Sequence, residues 1–148
     1  MKRFLFLLIP LFFIGCSEPK IEEARQGKRH LQNINLSGAD LSKLDLKNVD
    51  LTNSNLKNTN LEKADLQGSK LVNTNFQAAY LHGANLENTD CSGADFLSSN
   101  LENASFKGAN LTHARFVGAN VKKADFKDTI GLTKDQKEDL KSKGAFVD

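Results

Sequence analysis

The chain has no tryptophan, one tyrosine, two cysteines and three histidines in 148 residues, and these scarcities remove several function classes at once. Cys16 and Cys91 are too few for a disulfide framework. His30, His82 and His113 stand without a catalytic signature around them, no nucleophile is matched with a base and an orienting group, and no glycine-rich phosphate loop occurs. An enzyme is therefore not expected, nor a metal or other cofactor. Long apolar runs are missing too. The longest, 4–15, is interrupted by Pro10 and falls short of the roughly 20 residues that a membrane-crossing helix needs. Charge of either sign is not in surplus. Taking Lys2 and Arg3 from the 20 basic residues leaves 18, against 18 acidic ones, so neither a phosphate-tracking basic stripe nor a polyacidic surface is built in. What remains, 39% apolar and 26% charged, is ordinary composition for one globular domain.

Lys2 and Arg3, the apolar run and Gly15 before Cys16 have the order of a secretion signal. Phe13-Ile14-Gly15-Cys16 resembles a bacterial lipobox, with Phe13 where Leu is usual. That resemblance implies removal of residues 1–15 and a diacylglycerol on the Cys16 thiol. Each buried CH₂ adds about 0.8 kcal/mol of membrane affinity, and stable anchoring needs more than one chain. A triacylated lipoprotein meets that condition.

From Leu36 to Phe126 every fifth residue is large and apolar, nineteen times in succession: twelve Leu, five Phe, Cys91 and Val121. Two places before each stands a small or apolar residue, Ala ten times, otherwise Ser, Thr, Ile34, Leu44 or Val49. In an α-helix, residues five apart drift by about 140° and form no stripe. A flat strand fails as well, because an odd spacing sends alternate residues to opposite faces. The backbone must therefore turn once in five residues. Gly38, Asn48, Asn53, Asn58, Gly68, Asn73, Gly83 and Asn88 are among the corner residues that tolerate such turns. The residue before the core position is Asp or Asn in fifteen of nineteen units, suited to bonding nearby backbone amides. So regular a row reads as scaffold rather than as acid catalysis.

Units such as Ala39-Asp40-Leu41-Ser42-Lys43 and Ala84-Asn85-Leu86-Glu87-Asn88 resemble the A(D/N)LXX signature of pentapeptide-repeat proteins over residues 34–128. The resemblance implies an all-β fold, a right-handed quadrilateral parallel β-helix with twenty residues per coil. Nineteen units then make about five coils. Residues twenty apart would stack, placing Phe76, Phe96 and Phe116 in one core column and Phe106 and Phe126 in another. On the outside, Arg115 would lie one coil from Asp95, and His82 between Glu62 and Glu102. The last of these reads as exposed pairing, not as a metal site.

Four segments follow: 1–15 a signal peptide, 16–30 a lipidated tether and N-cap, 31–130 the β-helix, and 131–148 a C-terminal α-helical cap. Thr133 and Gln136 have capping-box spacing, and Gly144 can stop the helix. Ile130, Leu132, Leu140 and Phe146 are expected to seal the last coil. The fourteen residues after Cys16, if extended, reach about 50 Å. Arg25, Lys28, Arg29 and His30 among them are candidates for contact with anionic headgroups.

The functional expectation is a non-enzymatic, lipid-anchored cell-envelope protein, a rigid structural or protein-binding module. Its membrane contact runs through lipid at Cys16, its partner is an unidentified envelope protein or a second copy, and nucleic acid is not bound. Ser17 after the cysteine resembles the sorting signal for the periplasmic side of an outer membrane, where the organism has one. The protein-binding surface is sought among outward apolar exceptions, Val72, Tyr80, Leu97 and Val117. A second reading comes from relatives whose repeat rods imitate DNA and bind a type II topoisomerase, but the export signal and neutral mature charge oppose it.

Overall fold

A computed structural model describes residues 18–148. The signal, the lipobox and Cys16 lie outside the described residues. From His30 onward the chain winds in coils of twenty residues, each joined to the next by parallel bridges such as Asn35–Asn55–Asn75–Asp95–Arg115. The column His30–Asp50–Lys70–Asp90–Asn110–Ile130 marks five full steps of the coil. There are four such columns, one for each side of a prism. Each bridge is a single residue pair, because the extended stretch between two corners is too short for a strand. The regular elements among the described residues are two helices, α1 (Glu18–Arg25) and α2 (Lys134–Ser142).

The five-residue unit is explained by its hydrogen bonds. The core residue donates to the coil above (Leu36 N to Asn55 O, 2.8 Å), and so does the corner (Gly38 N to Lys57 O, 2.9 Å). Ala39 N closes the turn on Leu36 O at 3.0 Å, while Asn55 N donates down to Ile34 O at 2.9 Å. The turn holds every corner residue from Asn33 to Asp128, at five-residue intervals, with φ between 52° and 73°. Glycine takes only six of these corners, so asparagine and even Ala78 bear the left-handed conformation.

Inside, the leucine and phenylalanine columns are buried, and the phenylalanines stack as the twenty-residue rule predicts. Phe76, Phe96 and Phe116 lie with ring centroids 5.0 and 5.2 Å apart, nearly parallel, and Phe106 and Phe126 at 4.9 Å. The two columns meet edge to face, as in Phe96–Phe106 at 5.4 Å. The small position two before the core residue accommodates buried hydroxyls where they find a carbonyl: Thr59 Oγ1 donates to Leu36 O and Ser69 Oγ to Leu46 O, both at 2.9 Å. No buried side-chain N or O among the described residues lacks a partner.

Both ends are closed. At the base, α1 presses Ala24 and Ile21 onto the first coil. Two carbonyls of that coil, which have no coil beneath them, accept from arginines instead: Asp40 O from Arg25 Nη2 and Asp45 O from Arg29 Nη1, each at 3.2 Å. Residues 18–30 thus fold onto the base of the coil as an N-cap, and these arginines are occupied in closing it. At the far end α2 has the expected capping box between Thr133 and Gln136, and Leu140 is buried. Two of the four residues expected to seal the coil do not. Ile130, 63% exposed, occupies the outward position that Asp or Asn holds in most units. Phe146 bridges Asp125, twenty-one residues back, and that one-residue slip turns its ring outward and puts Ala145 inside.

Candidate functional site

With the core filled, anything the molecule does in contact with others is done by its outer surface. Each side carries the residue before the core position and the residue after it. All fifteen Asp and Asn residues at the first of these accept a bond from the amide two residues on, at 2.9–3.2 Å. For Asp40 the Ser42 hydroxyl and amide hold the carboxyl below its usual range. At Asp50 burial pushes the other way, but bonds from the Thr52 hydroxyl and amide and from Gln32 outweigh it. These carboxylates are structural acceptors. The four units with Lys70, Tyr80, Ser105 or Arg115 at this place lack the bond, and only these depart from the scaffold's own rule.

The outward apolar exceptions do not form one patch. Leu97 and Val117 are stacked on one side, with Ser98 N bonded to Val117 O at 2.9 Å; Val117 is 64% exposed and Leu97 half-buried. Tyr80, 58% exposed, belongs to the Asn60–Tyr80–Asn100 column on the next side. Val72, half-buried, follows Lys70 on the preceding side. Arg115 and Asp95 pair at 3.3 Å beside Leu97, as the register predicts. Glu62 pairs with Lys63 and Glu102 accepts from Asn120, and among the described residues no three His, Cys, Asp or Glu side chains are gathered as metal ligands. Cys91 is wholly buried beside Thr89, and burial pushes its thiol up to about 12.

One concavity was not anticipated. A groove of about 420 Å³ runs between the last coil and α2, lined by Arg115, Phe116, Val117, Gln136, Leu140 and Lys143, among others. Phe116, at 6% exposure, forms part of its floor. It exists because the rung that would lie over residues 115–117 falls at 135–137, and those residues are helical. The amides of Phe116 and Gly118 therefore carry no hydrogen bond within the described chain. Adding twenty to Val117 and noting the helix signal there would have revealed the gap.

A family profile of pentapeptide repeats, eight copies, matches residues 30–68, 59–96 and 89–128. The chain belongs to the pentapeptide repeat family. Among solved structures, this pentapeptide-repeat chain is similar to a pentapeptide repeat protein from the Arabidopsis thaliana thylakoid lumen, at 29% identity, covering 90% of this chain and 87% of that one with a TM-score of 0.60. It is also similar in fold to Rfr23 of the cyanobacterium Cyanothece 51142, at 22% identity over 89% of this chain and 100% of that one, TM-score 0.64. No curated protein matches it.

Proposed function

We propose that this pentapeptide-repeat protein is a non-enzymatic, lipid-anchored envelope protein that serves as a rigid, right-handed four-sided module for structure or protein binding. The observation that carries the reading is the junction at the N-terminus. An apolar run ends in Phe13-Ile14-Gly15-Cys16, and the described chain from Glu18 on is a folded body with its own base cap. A cut before Cys16 leaves that body whole. The thylakoid-lumen relative supports the view that such coils operate in a luminal compartment. The filled core and the absence of any gathered ligand set among the described residues favour contact over chemistry. An envelope partner would be held through the outward apolar exceptions, Val72, the Leu97–Val117 pair and Tyr80, which lie on three successive sides.

Mass spectrometry of the mature N-terminus, with membrane fractionation, tests the anchoring. A Cys16 peptide carrying acyl mass in the membrane fraction is the expected result. An unmodified Cys16, or a retained Met1, would overturn it. Ser17 directs the expected location to the periplasmic side of an outer membrane where one exists.

A further inference from the structure

We propose that the groove under α2 is a docking site for one short extended segment of a partner protein, reading acidic, small apolar, large apolar, which enters as the missing rung of the coil. The inference rests on the protein-binding half of the function proposed above and not on acylation. In the rung below, Phe96 N and Ser98 N donate to Arg115 O and Val117 O at 2.8 and 2.9 Å. The corresponding donors one coil higher, Phe116 N and Gly118 N, meet no carbonyl, because residues 135–137 are helical. Val117 N between them is unpaired as well, since Arg115 stands where Asp or Asn supplies the acceptor in most units. The acceptor side of the same rung is already satisfied, Ala114 O taking Gln136 Nε2 at 2.9 Å. The groove therefore lacks acceptors only. An extended backbone brings them, because its carbonyls two residues apart point to the same side.

Register sets the side chains of such a guest. Its first residue stacks over Arg115, whose side chain is 59% exposed and is paired from beneath by Asp95 at 3.3 Å. An acidic residue there places a carboxylate on each side of the guanidinium. The third residue stacks over Val117, which is 64% exposed and has Leu97 beneath it, so a large apolar side chain continues that stack. The second turns inward over Phe116, and with only 6% of Phe116 exposed the space suits Ala or Val rather than another ring. The groove's volume of about 420 Å³ falls within the roughly 300–1,000 Å³ of ligand pockets. On the α2 wall Lys143 is committed to Asp139 at 2.7 Å, which leaves Asp135 as the carboxylate that opposes an acidic guest. The chain contains no Asp or Glu followed by Ala or Val and then a large apolar residue, so a second copy does not supply the segment.

The test titrates the full chain, isotope-labelled and held in detergent micelles, with the peptide acetyl-Gly-Ser-Asp-Ala-Leu-Ser-Gly-amide. Hydrogen exchange at the Phe116 and Gly118 amides should slow several-fold on binding. Lys in place of the peptide's Asp should weaken binding about fivefold or more, an opposite-charge pair having become a like-charge one. Arg115→Glu in the protein should reverse that preference, and Asp135→Asn should tighten the Asp peptide. No binding at millimolar peptide overturns the proposal. So does binding that leaves the two amides exchanging as before, or equal binding of the Asp and Lys peptides. If those amides become protected on concentrating the protein alone, the occupant is a second copy and the proposal is wrong. None of these results touches the acylation of Cys16 or binding at Tyr80, so the groove can fail while the wider reading stands. Peptide binding by a chain whose Cys16 proves unmodified would show the reverse.

Discussion

Each Asp or Asn before a core residue does the same work, accepting the amide two residues on, and its removal has a calculable effect. Asn85→Ala loses the bond from Glu87 N at 3.0 Å and its own donation to Asp65 at 3.2 Å. A loss of about 1 kcal/mol is expected in urea unfolding. Tyr80→Asn runs the other way, since it supplies the missing acceptor for the His82 amide, and a gain of about 0.5–1 kcal/mol is expected. A residue that forgoes scaffold stability is a reasonable place to seek function, so the same variant should weaken any partner binding. Ala78, at φ 52°, bears a left-handed corner without asparagine's advantages. Ala78→Gly should therefore stabilise, by about 0.5–1 kcal/mol, whereas in a helix that substitution destabilises. Cys91, with its thiol up at about 12 and fully buried, should resist a thiol reagent at pH 8 in the native Cys16→Ser protein and react only on unfolding. The burial of Cys91 was legible in the sequence, because it falls on the core beat.

The stacked phenylalanines are the element that stiffens the upper coils. Phe96 touches Phe76, Phe116 and Phe106, so Phe96→Ala should cost about 3–5 kcal/mol and lower the melting temperature sharply. The columns could be read from a spacing of twenty; the edge-to-face packing between them could not. The far cap depends on Gly131, which falls on the core beat but bears φ 87° and would place a Cβ 2.4 Å from Thr112 N. Neither the angle nor the contact admits a side chain, so Gly131→Ala should loosen α2 from the coil, seen as faster amide exchange over 134–142. In sequence Gly131 merely ends the beat. The contact that makes it indispensable comes from a residue nineteen places earlier.

Over the whole molecule, two of the regular carboxylates, Asp40 and Asp50, make stability depend on pH. Asp40 and Asp50 are held below the ordinary carboxylate value, so they contribute above about 3.9, their unfolded range. That contribution is lost as pH falls through their lowered values, where the unfolded chain binds more protons. Unfolding free energy measured from pH 7 downward should hold to about pH 5 and then fall. Asp50→Asn, which can keep the acceptor for Thr52 but does not titrate, should flatten that decline. The sequence by itself determined the coil and its core columns, the balance of 18 basic and 18 acidic residues beyond position 15, and the capping box at Thr133. All of these follow from local geometry repeated at a fixed interval. Tertiary structure decided what happens where the interval stops. It turned Ile130 and Phe146 outward and opened the groove under α2. Those outcomes depend on which coil edge a non-repeating segment meets, and in Phe146 on a slip of one residue, for which a local pattern carries no signal.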